Sequence, residues 1–368
     1  MLACYPIRAT QENWLHESLV TMIEDVHIQL DADEDIPKTH EQWKLLVPGN
    51  LSDERKSNII DATGIRDRLF IYKDKVEQLN SLDRQAILNA LENQNRIANL
   101  LENQSAISNL DQYPDVNAAV QELFIFSYGK LTAFKVRERQ YQIIFDDLDT
   151  KICPFCGIER VMHPEETAQD QDHYLAKSIF PFAAANMRNL APMCRCCNRD
   201  YKKTQDVIQD GNGNRRRAFD PFDCVPPSIT LLNSVVNEDA SPPIPEWNIG
   251  FIPATEEAET WNSVFKIRTR YKRDILNEYF GRWYQAFKTK CKTDRKRGVI
   301  VGDLSQDQIR EILANYQVDK AESPSVGMAN FLEPLVFEFL LNQYDQGNQM
   351  ITRLVRDAIS IEQLEGVA

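Results

Sequence analysis

Apolar side chains recur every three or four residues through most of the first 150 residues, which is the period of an amphipathic helix. The stretch 83–110, DRQAILNALENQNRIANLLENQSAISNL, shows this pattern most clearly. A second stretch, 116–148, continues it, and Pro114 separates the two. The apolar positions of the first stretch are Ile87, Leu88, Leu91, Ile97, Leu100, Leu101, Ile107 and Leu110. The pattern therefore predicts a helical N-terminal domain.

The rest of the chain combines short extended elements with further helices. Residues 151–224 contain short elements and turns, and the Gly/Asn-rich QDGNGNRRR at 209–217 predicts a tight hairpin turn. Alternating apolar and polar residues predict strands in three segments, 228–236, 246–252 and 263–271. Helical periodicity then returns in three more, 272–291, 305–317 and 329–360.

The expected fold class is α+β and predominantly helical. Three domains are predicted: a helical N-terminal domain (1–150), a small cysteine-bearing core (151–224) and a mostly helical α+β C-terminal region (225–368). The N-terminal residues MLACYPIRATQENW lack the basic start and unbroken apolar run of a signal peptide. No stretch approaches the roughly 18 uncharged apolar residues needed to span a bilayer. The sequence thus predicts a cytoplasmic protein with no membrane partner.

Charge is distributed unevenly along the chain. The formal net charge of −13 argues against a protein that coats nucleic acid without specificity. Residues 1–150 carry 25 acidic against 15 basic side chains, whereas residues 188–217 carry eight basic against three acidic ones. A second basic run, 282–297, has aromatic residues at helical spacing. Two interpretations of this run stay open: a helix that docks on a phosphate backbone, and an amphipathic helix with a solvated basic face.

Five of the eight cysteines cluster in the middle of the chain. Cys153 with Cys156, and Cys194 with Cys197, form two CxxC pairs, which together supply the four thiolates that structural zinc prefers. The 37 residues between the pairs exceed the spacing of a simple zinc ribbon, so further structure must fold between them. Pairing Cys194 with Cys196 is an alternative that gives a poorer knuckle, and Cys196 is therefore the cysteine left over.

Three cysteines lie far from this cluster. Cys4, Cys224 and Cys291 have no neighbouring cysteine at metal-binding spacing. A secreted disulfide framework would distribute its cysteines along a shorter chain. We therefore expect these three side chains to be small buried hydrophobes.

The residues between the CxxC pairs, DQDHYLAKSIFPFAAANMRNLAPMCRCCN, carry polar groups in a specific order. The ordered set is Asp172-His173, Asn189-Leu190, Cys194 and Cys197-Asn198. This order resembles the HNH endonuclease family, the ββα-metal nucleases with a zinc-knuckle frame. DHYLAKSIFP is also similar to the DHYLPKSxFP opening of one branch of that family. The resemblance covers about residues 153–205, roughly a seventh of the chain, and implies a ββα-metal core with structural zinc.

The chemistry of phosphodiester hydrolysis suits these residue types. The reaction needs an activated water, a cation on the phosphate and a rigid frame for both. Neutral histidine is the usual base near pH 7, and Asp and Asn oxygens are hard ligands of the kind that Mg²⁺ prefers. On a regular strand the adjacent Asp172 and His173 would point to opposite faces. The resemblance implies that the pair stands where the strand ends, so that both reach the cleft.

The resemblance also implies a role for each matched residue. His173 resembles the general base that deprotonates the attacking water. Asp172 resembles the first ligand of a catalytic Mg²⁺ or Mn²⁺ ion, and Asn198 resembles the second ligand, at the start of the ββα helix. Asn189 resembles the middle Asn of the motif, which fixes the loop so that the base is correctly aimed. Asn186 is a weaker candidate for that structural role.

Basic residues around the second CxxC pair are the predicted nucleic-acid contacts. Lys202 and Lys203 are the candidates for phosphate binding, and Arg188 and Arg199 are assigned with them. The family often has Lys three residues after its final Asn, where this chain has Tyr201. This departure leaves open which lysine contacts the phosphate.

The leading functional hypothesis is a metal-dependent endonuclease that cuts DNA and leaves a 5′-phosphate and a 3′-hydroxyl. Stand-alone HNH proteins with unfamiliar flanking domains are often restriction or phage-defence components, and the resemblance implies such a setting. Two alternatives stay open: a zinc-framed module that binds nucleic acid without cleaving it, and an effector held silent by a partner. The chain has no ATP-binding P-loop, so energy-dependent sensing would require a partner protein such as a separate ATPase or sensor.

Overall fold

The structure, a computed structural model, describes residues 1–166, 171–236, 245–322 and 329–359. Its chain separates into two compact units. Unit 1 comprises Met1–Phe155 and Arg160–Pro226, and unit 2 comprises Cys156–Glu159 and the chain from Pro227 onward. Most described residues are helical, and the short strands pair antiparallel in twos, in agreement with the α+β, mostly helical fold class. None of the described helices is both long enough and apolar enough to cross a bilayer.

Residues 1–150, all of which are described, contain eight α-helices, as the apolar periodicity predicts. Side-chain oxygens of Thr39, Ser52 and Asn80 cap three of them by accepting the backbone N–H three residues later. Pro114 occupies the first turn of its helix, where a missing N–H breaks no hydrogen bond. The helices are α1 (Trp14–Asp31), α2 (His40–Leu46), α3 (Asp53–Asp61), α4 (Thr63–Val76), α5 (Ser81–Asn95), α6 (Ile97–Leu101), α7 (Pro114–Ala133) and α8 (Val136–Asp147).

Two short strands and a short helix follow within unit 1. Strand β1 (Gln171–His173) pairs antiparallel with β2 (Leu190–Pro192), and His173 lies opposite Leu190. A seven-residue π-helix, Cys196–Lys202, comes next along the chain. The Cys194 carbonyl, just before this helix, accepts the Asn198 N–H at 3.0 Å. The order of these elements is strand, strand, helix.

The loop between β1 and β2 packs into the core of unit 1. Its residues Phe182 and Ala184 are fully buried in the same apolar cluster as Leu69 of α4 and Phe124 of α7. The Phe124 and Phe182 rings meet edge to face with their centroids 5.6 Å apart, a favourable arrangement for aromatic pairs. The helices of the first 150 residues therefore support the loop that joins the two strands.

The hairpin turn predicted at 209–217 is confirmed. Gln209 and Arg215 form an antiparallel bridge across it. The Asp210 carboxylate accepts the backbone N–H groups of Asn212 and Asn214 at 2.8 and 2.9 Å, the local bonding for which Asp favours turns.

Two of the three strand segments predicted after residue 224 are extended. The first contains β3 (Ser228–Thr230) and β4 (Val235–Val236). The second contains β6 (Gly250–Ile252) and the last residue of β5 (Pro245–Glu246). β3 pairs with β6 and β4 pairs with β5, both antiparallel.

The strand prediction for 263–271 is wrong, because the segment is helical. Trp261, Val264 and Phe265 are buried and have the i, i+3, i+4 spacing of one helix face. The helical pattern therefore begins before residue 263 and runs into the segment. The Thr255 side chain caps the start of this helix by accepting the Ala258 N–H. The helical elements are α9 (Glu256–Phe265), α10 (Ile267–Arg270) and a π-helix (Tyr271–Leu276).

The remaining helices lie close to their predicted positions. The predicted segment 329–360 contains two helices rather than one, since Gly347 takes a left-handed φ of 76° between them. Residue 360 lies outside the described residues. The helices are α11 (Asn277–Lys296), α12 (Gln306–Glu322), α13 (Leu332–Asp345) and α14 (Gln349–Ile359).

The basic run 282–297 falls on α11 and the residue after it. Trp283, Phe287 and Cys291 are buried, so the aromatic spacing reflects packing against the core of unit 2. The Phe287 ring meets those of Tyr316 and Phe337 at centroid distances of 5.0 and 5.4 Å. The run therefore forms an amphipathic helix, and docking on a phosphate backbone stays a hypothesis about its exposed basic face.

The three scattered cysteines do not behave alike. Cys291 is buried, as expected. Cys4 and Cys224 are instead joined in a disulfide, although 220 residues separate them in sequence. The N-terminal segment lies against the chain before Cys224, where the Tyr5 N–H donates to the Pro221 carbonyl at 2.8 Å. The expectation of two isolated hydrophobic cysteines is wrong because this long-range approach has no local signal in the sequence.

Candidate metal centre and adjoining site

Cys153, Cys156, Cys194 and Cys197 come together as the two CxxC pairs predict. Their Sγ atoms all lie within 4.8 Å of one another, and the four side chains are buried. In a tetrahedral zinc site with Zn–S bonds of about 2.3 Å, the sulfur atoms lie roughly 3.8 Å apart. Small movements of the four side chains would therefore bring these sulfur atoms to the distances that a bound zinc ion requires. The cluster is therefore positioned to bind one metal ion, compatible with a structural zinc knuckle.

Backbone N–H groups surround these sulfur atoms. The Cys153 Sγ accepts the Cys194 N–H at 3.3 Å, and the Cys194 Sγ accepts the Cys197 N–H at 3.4 Å. Such bonds stabilise the thiolate form that binds metal. Gly157 closes the first knuckle with a left-handed φ of 65°, which explains the glycine of CPFCG. Cys196 is half-buried and is not one of the four clustered cysteines, so the predicted pairing is confirmed.

His173 ends β1 with its ring turned into unit 1. Its Nε2 lies 2.9 Å from the Ala184 carbonyl oxygen, and the residue is 8% exposed. A carbonyl can only accept, so Nε2 carries the proton and the lone pair is on Nδ1. Burial lowers the pKa of His173 to about 3, helped by the positive charge of Lys177, so the ring is neutral at pH 7. A neutral ring with its lone pair on Nδ1 can accept a proton there.

Asp172 and Lys202 form an ion pair beside His173. The Lys202 ammonium lies 2.6 Å from Asp172 Oδ2, although the angles are not those of a hydrogen bond, and it donates to the His173 carbonyl at 2.9 Å. Burial raises the pKa of Asp172, and Lys202 opposes that shift. The Lys202 side chain is 1% exposed. Lys202 was predicted to contact phosphate, and in this structure its ammonium is instead turned inward onto the end of β1.

Asn198 stands near the beginning of the π-helix Cys196–Lys202 and is half-buried. It precedes Lys202 by about one turn, so both side chains leave the same face of the helix. Within the described part of the chain, the Asn198 side chain makes no hydrogen bond, whereas Asp172 Oδ2 is paired with the Lys202 ammonium. These oxygens are the hard donors that the predicted divalent ion requires.

Asn189 is fully buried and ties the two ends of the loop together. Its Oδ1 accepts the Leu175 N–H at 2.7 Å, and its Nδ2 donates to the Leu175 carbonyl at 3.0 Å and to the Ala183 carbonyl at 3.2 Å. Ala183 precedes the residue whose carbonyl meets His173. Asn189 therefore ties Leu175 to Ala183, next to the carbonyl that meets the His173 ring, and its role in aiming that ring stays a prediction.

Asn186 connects the same loop to the helices. Its Oδ1 accepts the Arg188 N–H at 2.9 Å, and its Nδ2 donates to Asn95 Oδ1 at 3.0 Å. The His16 ring of α1 lies 3.3 Å from the same Nδ2. Asn186 thus bonds the loop to α1 and α5, and its weaker assignment as the residue that aims His173 stays a prediction.

The other predicted nucleic-acid contacts differ in accessibility. Lys203 and Arg199 are exposed. Arg188 instead donates to the buried Asp220 carboxylate at 2.6 Å, and its side chain is 21% exposed. Of the four predicted basic contacts, two therefore lie on the surface and two form ion pairs inside unit 1.

Sequence reasoning missed three residues around His173. The Tyr128 ring of α7 lies 4.4 Å from the His173 ring, measured between centroids. Arg137 of α8 places its guanidinium 4.8 Å from the Tyr128 centroid, and the Lys177 ammonium lies 5.9 Å from it. Lys177 belongs to the DHYLAKSIFP segment, so the sequence offered a signal for this residue. No local pattern in the sequence connected it to α7. Helix α7 is distant in sequence, and no local pattern assigned it to the site.

Comparisons of the whole chain with protein-family models, curated proteins and solved structures found no significant match to any of them.

Proposed function

We propose that this protein is a metal-dependent endonuclease of the HNH type, with a zinc-framed site that hydrolyses DNA phosphodiester bonds. The observation that carries the proposal is the His173 ring, whose Nε2 donates to the Ala184 carbonyl and whose Nδ1 therefore holds the lone pair, with Asp172 as its neighbour on β1. The order of strand, strand and helix beside a four-cysteine cluster supports the ββα-metal arrangement.

His173 is the general base in this proposal. Its Nδ1 takes a proton from a water molecule while the water oxygen forms a bond to phosphorus. The bond between phosphorus and the 3′-oxygen breaks, and that oxygen takes a proton from solvent. The products are a 5′-phosphate and a 3′-hydroxyl. Asn189 and the Ala184 carbonyl keep the ring in the orientation that this transfer needs.

Asp172 and Asn198 are the residues that would hold the catalytic Mg²⁺ or Mn²⁺ ion. Asp172 Oδ2 is buried and already lies 2.6 Å from the Lys202 ammonium, so a divalent ion would have to share this oxygen with the ammonium or displace it. A bound divalent ion would stabilise negative charge on the phosphate and on the leaving oxygen. Lys202 places a second positive charge 2.6 Å from the same carboxylate. Its hydrogen bond to the His173 carbonyl holds the lysine at the end of β1.

The four cysteines serve as the frame of the site in this proposal. Cys197 precedes Asn198 and therefore anchors the start of the helix that ends in Lys202. Zinc bound to four thiolates has no open position for substrate, so it supplies rigidity rather than chemistry. DNA is the proposed substrate, and a role in restriction or phage defence together with a partner ATPase or sensor is proposed from the resemblance alone.

The second candidate is a zinc-framed module that binds nucleic acid without cutting it, or that cuts only under the control of a partner. The observation that favours it is the ion pair between Lys202 and Asp172, since an ammonium already neutralises the predicted metal ligand. In that case the site keeps its shape and its charge but lacks a catalytic ion.

Plasmid cleavage separates the two candidates. Supercoiled DNA is incubated with Mg²⁺ or Mn²⁺ and with wild type, His173→Ala or His40→Ala, where His40 is an exposed histidine at the start of α2. We expect His173→Ala to keep its zinc and its DNA binding while losing cleavage by several orders of magnitude, and His40→Ala to cut like wild type. EDTA should stop the wild-type reaction, and excess Mg²⁺ should restore it without added zinc.

Equal cutting by wild type and His173→Ala would exclude His173 as the base. Binding without cutting by any of the three proteins would favour the second candidate.

A further inference from the structure

The cations nearest His173 differ in what they already bind. The Lys202 ammonium pairs with Asp172 and donates to the His173 carbonyl. The Arg137 guanidinium donates to Gln171 Oε1 at 2.8 Å and to Thr132 Oγ1 at 3.3 Å. Both cations are therefore engaged by protein oxygens before any substrate binds.

Lys177 is not engaged in this way. Among the described residues its ammonium forms no ion pair and no hydrogen bond, and the side chain is half-buried. It stands four residues after His173, at the beginning of the loop that Asn189 ties down at Leu175. Of these three cations, Lys177 is thus the one available to an anionic ligand.

The Tyr128 ring connects Lys177 to the base. One neighbour of this ring is the His173 imidazole, at 4.4 Å between centroids, and another is the Lys177 ammonium, at 5.9 Å from the centroid. A cation within about 6 Å of an aromatic face is attracted to it. The Tyr128 hydroxyl donates to the Gln171 carbonyl at 3.2 Å, so the ring itself is anchored to β1.

We propose that Lys177 is the residue that contacts the scissile phosphate, and that Tyr128 is a positioning residue that keeps its ammonium beside His173. This inference rests on the proposed nuclease function and names the phosphate contact that Lys202, being buried, does not supply. In this proposal the Lys177 ammonium contacts the phosphate and His173 contacts the attacking water. Both side chains are neighbours of the Tyr128 ring. The helical N-terminal segment thereby contributes directly to the site through α7.

The test uses full-length zinc-loaded protein and two assays. The first measures binding of a short DNA duplex in EDTA at several KCl concentrations, and the second measures single-turnover cleavage of the same duplex with Mg²⁺. The variants are Lys177→Ala, Lys177→Arg and the control Lys44→Ala, in which Lys44 is an exposed lysine of α2 paired with Glu41.

We expect Lys177→Ala to reduce the slope of log affinity against log salt by about one, because one phosphate contact is lost. Its cleavage rate should fall on the order of 10²-fold, the effect typical of removing one group that stabilises transition-state charge. Lys177→Arg should recover most of both quantities, and Lys44→Ala should match wild type. Zinc content should be the same in all variants.

Two further variants test the positioning role. Tyr128→Phe keeps the ring and should keep the salt slope, whereas Tyr128→Leu should lose about as much slope as Lys177→Ala. The double variant Tyr128→Leu/Lys177→Ala should bind with the same slope as Lys177→Ala alone, because Tyr128 acts through the lysine. A further loss in the double variant would overturn the positioning role.

The inference fails if Lys177→Ala has the salt slope and cleavage rate of Lys44→Ala. If wild type does not cut DNA at all, the nuclease proposal fails, but the binding assay still decides on Lys177. A slope reduced by about one would then keep Lys177 as a phosphate contact, and an unchanged slope would overturn that too.

Discussion

Lys202 of unit 1 and helix α11 of unit 2 use their positive charges in different ways. Of the two lysines predicted from the sequence as phosphate contacts, Lys202 is buried and paired with Asp172, whereas Lys203 is exposed. In unit 2 the helix α11 carries Lys292 and Lys296 on its surface, and neither has a carboxylate partner among the described residues. The difference teaches that proximity to a recognisable motif does not make a basic residue available to a polyanion, because a buried ammonium first satisfies the carboxylate beside it.

The two units also differ in how they should respond to acid. All five histidines of the chain belong to unit 1. His16 and His27 are buried there, and burial lowers the pKa of each to about 4. Unit 2 has no histidine, so changes near pH 6 should act mainly on unit 1.

Removing one thiolate of the cluster should have the largest effect. Cys153→Ser is expected to lose the metal ion and to open the segment between the two CxxC pairs, because zinc binding and folding are coupled in such sites. The loss of folding free energy should reach several kcal/mol. Zinc content by metal analysis and limited proteolysis within residues 153–205 measure this.

The matched control is Cys291→Ser, which changes a buried cysteine of unit 2. It should keep about one zinc per chain. Wild-type protein purified without zinc, or zinc retained by Cys153→Ser, would refute the four-cysteine site.

Acidification should have the next largest effect. A folded-state pKa of about 4 for His16 lies below the unfolded value of 6.5, so between these values only the unfolded chain binds the proton. Stability is therefore unaffected above pH 6.5 and falls as the pH drops toward 4, by about 1.4 kcal/mol per pH unit and about 3 kcal/mol in total for this ring. Urea unfolding at a series of pH values from 7.5 to 5 measures the slope.

The comparison protein is His16→Gln, which keeps a hydrogen-bonding group near the Asn186 amide. Cysteine protonation affects both proteins alike, so the difference between their slopes isolates His16. If the unfolding free energies of wild type and His16→Gln depend equally on pH, the lowered pKa of His16 does not cause the loss of stability in acid.

Neutralising the exposed charges of α11 should have a smaller effect, confined to binding. The triple variant Lys292→Gln/Lys296→Gln/Arg297→Gln should weaken duplex binding equally for all sequences and lower the salt slope by up to about three. Stability should change little because all three residues are exposed. Fluorescence anisotropy of a labelled duplex at several salt concentrations measures the affinity and its salt slope.

A triple variant of unit 1 provides the contrast. Lys38, Lys44 and Lys75 are surface lysines that each pair with a carboxylate. Changing these three to Gln removes the same number of charges and should leave the salt slope as it is. Equal slopes for both triple variants would leave α11 as a solvated helix with no role in binding.

The smallest effect is expected from Cys196→Ser. Cys196 is half-buried and does not belong to the four clustered sulfur atoms, so zinc content and unfolding midpoint should stay at the wild-type values. Loss of zinc in this variant would mean that Cys196, rather than Cys194 or Cys197, completes the site.

Several features could be predicted because their causes are local. The periodicity of residues 83–110 predicted α5 and α6, although residues 102–110 of that stretch are not helical, and the Gly/Asn-rich segment at 209–217 predicted a turn. The prediction failed at 263–271, where the same residues satisfy both a strand-like alternation and the spacing of a helix face. Packing of Trp261 and Phe265 in unit 2 decided between the two.

The amino-acid sequence by itself determined the two CxxC pairs, since two cysteines three residues apart can bind one metal ion from a single knuckle, while the fold brought the two pairs together. It also placed His173 and Asp172 next to each other at one end of β1. Only the tertiary structure decided that Lys202 turns inward, that Tyr128 meets His173, and that Cys4 reaches Cys224. These contacts join residues far apart in sequence, and their free energy depends on burial and on neighbouring charge, neither of which a local pattern contains.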